Sequence, residues 1–274
     1  MANVIQLQRV TARRFDGRVA NIIGKPSTAT DPYFFTADDG ITYVTKVVTP
    51  DRTAFNDAMF SRLARRVELR VPDVVAIDVP AELVADDPQL SAVRYPPGLH
   101  VGVARLPNGS FDLRGGALQK LGGNIQIENE RELPGSVIYC SWIEDADHLI
   151  NGGNWMLEPR EQNKYIVWII DFGDALGGFG WDHARLQQLQ DPATVQKLGP
   201  HAIAARACAV PGCFQESLDR VGAIDQQELA DLALGIPQAW QPGPADRVAL
   251  AACLISRRPG LGPALGATAP GGAP

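Results

Sequence analysis

A membrane span is missing from this chain: no apolar run in the 274 residues approaches the ~18 to 20 that a bilayer requires. The opening stretch, "MANVIQLQRVTARRF", has neither a continuous apolar centre nor a cleavage-like site, so a cytoplasmic location is expected. Long basic runs are missing too. The arginines at 13, 14, 65 and 66 come only in pairs, and the net charge is −6, which argues against a surface that tracks nucleic-acid phosphates. Cysteine is scarce. The four residues at 140, 208, 213 and 253 form no second close pair and have no histidine cluster nearby, so buried thiols are expected rather than a zinc site or a disulfide framework. His148 and His183 match no metal-ligand spacing, and no internal repeat is evident.

What is present is a globular composition, 45% hydrophobic and 20% charged, with enough chain for one large domain or two modest lobes. Residues 4–15 and 42–48 are β-branched and partly alternating, as strands are, and a turn-rich segment over 24–40 separates them. From Thr53 to Val67 the apolar positions 55, 59, 60, 63 and 67 recur at helical spacing, with Asp51 and Thr53 as candidate caps. "VPDVVAIDV" reads as a strand opened by Pro72. Residues 80–100 read as a loop or short helix and 101–106 as a short strand or connector. "LPGSVIYCSWIEDADHLI" suits a buried helix running into a loop. "NWML" and "YIVWIID" then read as a hairpin across the polar "EPREQNK". Beyond about 182 the chain is rich in alanine and leucine, with helices predicted at 193–207, 214–220, 226–235 and 244–257. The Pro-, Gly- and Ala-rich residues 259–274 are expected to be a disordered tail. Trp142, Trp155, Trp168 and Trp240 fall in apolar runs and are expected in the core.

A strand-rich first part followed by a helical second part, with acidic residues at the ends of one hairpin, has a known chemical use. Phosphoryl transfer from ATP needs a lysine on the phosphates, a loop over them, acidic and amide oxygens for magnesium, and an aspartate to orient the attacking hydroxyl. Lys46 stands inside the apolar "TYVTKVV", where an unpaired charge is out of place. Gly24, Ser27 and Thr28 in the preceding loop are candidates for the phosphate cover, although a dense glycine pattern is lacking there. Asp147 and Asn154 follow the buried helix, and Asp171 ends the hairpin's second strand ahead of Phe172 and Gly173. Lysine, aspartate, asparagine, then Asp-Phe-Gly is the order found in protein kinases.

In detail the chain resembles the HipA-like kinases of bacteria, a protein-kinase-fold family whose founding member is a serine/threonine kinase toxin. "DGITYVTKV" is similar to the family's lysine strand, and "FNDAMFSRLARRVELRVPDVVAIDV" to the helix and strand after it. "GLHVGVARLP" resembles the connecting segment, "DADHLINGGNWML" the catalytic loop and "WIIDFGDAL" the metal-binding strand end. "LADLALGIPQAWQPGPADRVALAACLISRR" is similar to the carboxy-terminal helices of a subfamily made of the kinase domain alone.

The resemblance implies an α+β, two-lobed protein-kinase-like fold over 1–258, with an N-lobe to about residue 100 and a C-lobe from about 101. It implies an ATP- and Mg2+-dependent serine/threonine protein kinase, with a toxin role among its implications. Lys46 would contact the ATP phosphates, Asp147 would be the catalytic base, and Asn154 and Asp171 would hold magnesium. Six residues separate Asp147 from Asn154 where the general kinase pattern has four, which leaves Asp145 and Asn151 as rivals. Asp57, one methylene shorter than the family's glutamate, stands where the partner of Lys46 belongs.

A small-molecule kinase and a nucleotide-binding pseudokinase without turnover are the alternative readings. The acceptor would be a hydroxyl on a protein or a small molecule. No membrane or nucleic-acid partner is expected, and nothing in the sequence supports an antitoxin partner.

Overall fold

The structure, a computed structural model, describes residues 6–18, 33–47, 49, 51–107, 109–114, 125–161, 163–178, 180–195 and 201–266. The expected phosphate-covering residues Gly24, Ser27 and Thr28 lie outside the described residues.

Five strands, β1 (Arg9–Arg18), β2 (Tyr33–Ala37), β3 (Thr42–Lys46), β4 (Val74–Val79) and β5 (Gly98–Ala104), close into a barrel of order β1-β2-β3-β5-β4. The pairs are antiparallel except β1 with β4, which run parallel in the register Arg9 to Ala76, Val10 to Ile77 and Thr11 to Asp78. Alternate side chains turn inward and fill the barrel: Val10, Ala12, Phe35, Tyr43, Val75 and Ile77 are all buried. The segment 24–40, expected to be turns, contains β2. Its "YFFTA" reads as a strand because the aromatic residues find burial on both sides of it. β5 runs to Ala104, past the lobe boundary expected near residue 100.

Helix α1 (Thr53–Arg66) packs against β4 and β5 on one side and the helical part on the other. Phe55, Met59, Phe60 and Leu63 are fully buried, and Asp51 accepts the Thr53 N–H at 2.8 Å to satisfy one amide at the helix start. Short helices α2 (Ala81–Asp86) and α3 (Pro88–Ala92) follow β4. The second sheet, of order β6-β8-β9-β7, combines β6 (Phe111–Asp112), β7 (Gln126–Ile127), β8 (Trp155–Pro159) and β9 (Lys164–Ile169), and β8 and β9 form the expected hairpin. Helix α4 (Leu133–Ile143) is buried at every residue, so its sequence shows no polar face.

The rest is helical: α5 (Asp147–Ile150), α6 (His183–Leu189), α7 (Ala205–Cys208), α8 (Gln215–Gly222), α9 (Gln226–Leu234) and α10 (Pro244–Leu265). The helix predicted over 193–207 is not continuous among the described residues. Residues 192–194 are one 3-10 turn, 201–204 are not helical, 205–208 are helical, and α6 lies upstream, capped by Asp182 accepting from the Arg185 N–H.

The tail expectation also fails over 259–265. Helix α10 continues through Pro259 and Pro263, each of which costs roughly 3 kcal/mol inside a helix, with Leu261 and Leu265 buried along the same turns. Trp142, Trp155 and Trp240 are in the core, whereas Trp168 is half-buried, with Arg70 over its ring and Glu158 accepting from its indole. All four cysteines are free, and Cys140 and Cys253 are buried. No helix of the described residues is long and apolar enough to cross a membrane.

Candidate active site

Lys46 is the last residue of β3, where the barrel meets α1 and the end of the second hairpin. Its Nζ lies 2.9 Å from Asp57 Oδ2 and 2.5 Å from Asp171 Oδ1, joining residues 125 positions apart in sequence. Burial alone would lower the lysine's pKa, but Asp171 and Asp57 outweigh it and hold the ammonium charged. An ammonium has three donors, so one remains after these two carboxylates. The shorter acidic side chain on α1 therefore reaches its lysine.

Asp57 is 1% exposed. Burial pushes its carboxyl up to about 6, Lys46 opposes this and the neighbouring Asp171 adds to it. The folded protein therefore holds a proton that the unfolded chain releases between 3.8, the ordinary value, and about 6. Through this group, stability is expected to fall as pH rises across that window, where the native state binds the extra proton. Asp171, whose pKa is lowered by Lys46 against the effect of burial, contributes stability that is fully present above 3.8 and is lost as pH falls below it, outside this window. Urea midpoints measured across the window should show a slope that Asp57→Asn flattens; equal slopes in both proteins would contradict this assignment.

Asp171 follows β9 in the left-handed region, at φ +69. The sequence suggests that Gly173 turns the chain there, but the positive φ belongs to the aspartate. Gly173 suits a close approach instead, since a Cβ at that position would lie 3.0 Å from Thr53 Cγ2, which would have to give by a few tenths of an ångström. His148, fully buried on α5, stacks on Phe172 at 4.5 Å, and its Nε2 lies 2.8 Å from the carbonyl of Ile170. Its Nδ1 is 3.0 Å from Asp145 Oδ2, an ion-pair distance bent away from a straight hydrogen bond. Burial would lower the imidazole's pKa, but Asp145 outweighs it and raises the value.

These contacts separate the rivals. Asp145 is fully buried against His148, whereas Asp147 is partly exposed at the start of α5. Asp147 Oδ2 accepts from Asn154 Nδ2 at 2.6 Å and from Asn151 Nδ2 at 3.2 Å. Asn151 spends its oxygen on the Gly153 N–H at 2.9 Å, while the Asn154 backbone carbonyl accepts from Ile170, next to Asp171. The two glycines that lengthen this loop have a packing reason: a Cβ at Gly152 would sit 2.8 Å from the Leu113 carbonyl.

Asp174 is exposed, and its pKa is raised by burial and then by Asp147, Asp145 and Asp171, so the mouth of the site concentrates negative charge. Among the described residues no three His, Cys, Asp or Glu side chains could hold a metal by themselves. Asp171 and the amide oxygen of Asn154, which faces Asn151 Nδ2 at 3.5 Å, are the groups that would hold Mg2+, an ion that takes one or two protein carboxylates and completes its shell with phosphate oxygens and water. Two surface clefts of about 410 and 450 Å3 are lined by other residues, among them Arg62 and Leu232 in one and Arg70 and Trp168 in the other.

The barrel, the α1 pairing and the order of these groups can be compared with solved structures. The crystal structure of the Helicobacter pylori proinflammatory kinase CtkA superposes with a TM-score of 0.58 at 10% identity, over 95% of this chain and 98% of that one. The fold is that of a protein kinase. A Golgi casein kinase aligns over 96% of this chain and 73% of its own at 11% identity, with a TM-score of 0.43, too low to carry an argument. No family model and no curated protein matches the chain.

Within this kinase fold the structure brings Lys46, Asp57 and Asp171 together, and Asp147 with Asn154. It also shows residues that the sequence reading passed over. Asn56 and Trp181 meet behind the Asp171 turn, where the Trp181 indole donates to Asn56 Oδ1 at 3.0 Å. The signal was a polar residue at position 56 in line with the apolar 60 and 63 of the same helical stripe.

Proposed function

We propose that this chain is an ATP- and Mg2+-dependent phosphotransferase, a cytoplasmic HipA-like serine/threonine protein kinase with a hydroxyl of another protein as acceptor and growth inhibition as its effect. The observation that carries the reading is Lys46 held between Asp57 and Asp171, beside an Asp147–Asn154 pair, in a protein-kinase fold. Lys46 has a donor left for a phosphate oxygen. Asp171 and Asn154 would hold Mg2+, which when bound neutralises charge on the ATP phosphates. Asp147 is partly exposed, unlike the buried Asp145. It would orient the acceptor hydroxyl and take its proton as the oxygen attacks the γ-phosphorus, with ADP as the leaving group.

Labelled ATP with Mg2+ tests this directly. Wild type is expected to autophosphorylate or hydrolyse ATP, and Asp147→Ala to lose about 10²- to 10⁴-fold in rate while remaining folded. A folded wild type that shows neither turnover nor nucleotide binding by calorimetry would remove the reading. Binding without turnover would instead favour a pseudokinase.

A further inference from the structure

Helix α1 presents two consecutive polar side chains to the turn after β9, and only Asp57 meets Lys46. The other, Asn56, has no solvent exposure. Its Nδ2 donates to the carbonyl of Gly173 at 2.9 Å and to that of Ala175 at 3.4 Å, while its Oδ1 accepts from Trp181. A primary amide has two donor hydrogens, so both are committed to the segment that leaves Asp171. Asp57 faces the same turn, with the backbone N–H of Phe172 beside its carboxylate. One helical turn earlier, Arg52 lies over the Trp181 ring at 4.1 Å and pairs with Asp246 on α10 at 3.1 Å. One face of α1 thus contacts residues 172, 173, 175 and 181.

We propose that Asn56 is a positioning residue, which clamps the Asp171 turn to α1 and keeps the metal-binding carboxylate in place without a switching event. This rests on the phosphotransferase reading of the same site. Two observations support it independently. Asp171 sits at φ +69, a left-handed conformation uncommon outside glycine, asparagine and aspartate, and Asn56 supplies contacts directly behind it that hold the turn there. The segment from Asp174 to Asp182, "DALGGFGWD", contains no serine, threonine or tyrosine, so no phosphate ester on it can order or release the turn. A helix that already holds the turn by side-chain and backbone bonds needs no such device.

The test compares wild type, Asn56→Ala and Trp181→Phe by two readouts. Backbone amide exchange in the unliganded protein is expected to rise by about tenfold over residues 172–178 in Asn56→Ala while other buried segments keep their protection. With ADP, the affinity for Mn2+ followed by electron paramagnetic resonance is expected to weaken by roughly tenfold, as for loss of a group that orients a metal ligand, with metal-free ADP binding changed by less than about twofold. Trp181→Phe keeps both Asn56 donor bonds and is expected to leave Mn2+ affinity near wild type. Should Asn56→Ala fail to fold, Asn56→Ser, which retains a donor, carries the same comparison.

Unchanged exchange at the turn overturns the clamp. So does a uniform rise in exchange throughout the molecule, or equal weakening of Mn2+ by both substitutions. Failure of wild type to bind ADP would count against the phosphotransferase reading, whereas the exchange measurement needs no nucleotide and decides the clamp by itself.

Discussion

Asp171→Asn is expected to slow phosphoryl transfer by about 10³-fold and to abolish the Mg2+ dependence of ADP binding, with little loss of stability. Asn matches Asp in shape and tolerates the left-handed backbone at φ +69, so the change removes charge alone. Alanine would add roughly 1 to 2 kcal/mol of backbone cost and confuse the two effects. The carboxylate pairs with Lys46, and the residue before it, Ile170, donates its backbone N–H to the carbonyl of Asn154. Losing a charged metal ligand removes several kcal/mol of stabilisation from the transferring phosphoryl group, and each 1.36 kcal/mol is tenfold in rate. Stability should fall by no more than about 1 kcal/mol, because the Asp171 side chain is 45% exposed and Lys46 keeps its bond to buried Asp57. Transfer and Mg2+-dependent binding within about threefold of wild type would show that Asp171 is no metal ligand.

Arg247→Met is expected to lower the unfolding free energy by about 4 kcal/mol, the scale of breaking a buried charged network by removing one partner. Arg247 is 1% exposed, and its five N–H groups donate to five carbonyls: Pro242, Ala233, Ile236, Pro237 and Trp240, at 2.6 to 3.1 Å. Every donor is used and no carboxylate is involved. Burial lowers its pKa to about 10, so the guanidinium stays charged at neutral pH. The usual argument that a buried ion pair can be exchanged for apolar residues fails here, because the partners are backbone groups that no substitution removes. Four of the carbonyls left behind belong to the loop between α9 and α10 and the fifth, Ala233, to the end of α9; the loop also ties to β5 through the Trp240 indole and the Leu99 carbonyl. At about 2 to 4 °C per kcal/mol for a chain of this size, the melting temperature should drop by roughly 10 °C. Arg247→Lys should recover little, since its three donors radiate from one point and cannot span the same carbonyls. A methionine variant within about 1 kcal/mol of wild type in urea would contradict this account.

How far these features were legible in the sequence depends on whether the decisive contact is local. Helix α1 could be read from 55, 59, 60 and 63 because the apolar spacing and the helical repeat are the same signal. The β8–β9 hairpin was legible for a similar reason, with a polar loop between two apolar runs. Strand β2 was not, because "TDPYFFTADDG" contains as many turn formers as strand formers, and only pairing with β1 and β3 on both sides decides the matter. The last turns of α10 were hidden by the same conflict, with two prolines and several glycines against two leucines whose burial depends on helices elsewhere in the chain.

By itself the sequence determined the order of chemical groups, a lysine in a strand, an aspartate and asparagine in a loop, and Asp-Phe-Gly at a strand end, because those are properties of short segments. The tertiary structure alone decided which carboxylate faces which partner. Asp145 and Asp147 are two residues apart and chemically identical, yet one is buried against His148 and the other is left partly exposed by the direction in which α5 leaves the loop. Asn56 and Arg247 belong to the same class. Their neighbours in space lie more than a hundred residues away for one and on a separate turn of chain for the other, so burial and hydrogen-bond satisfaction, which only the folded packing defines, assign them their work.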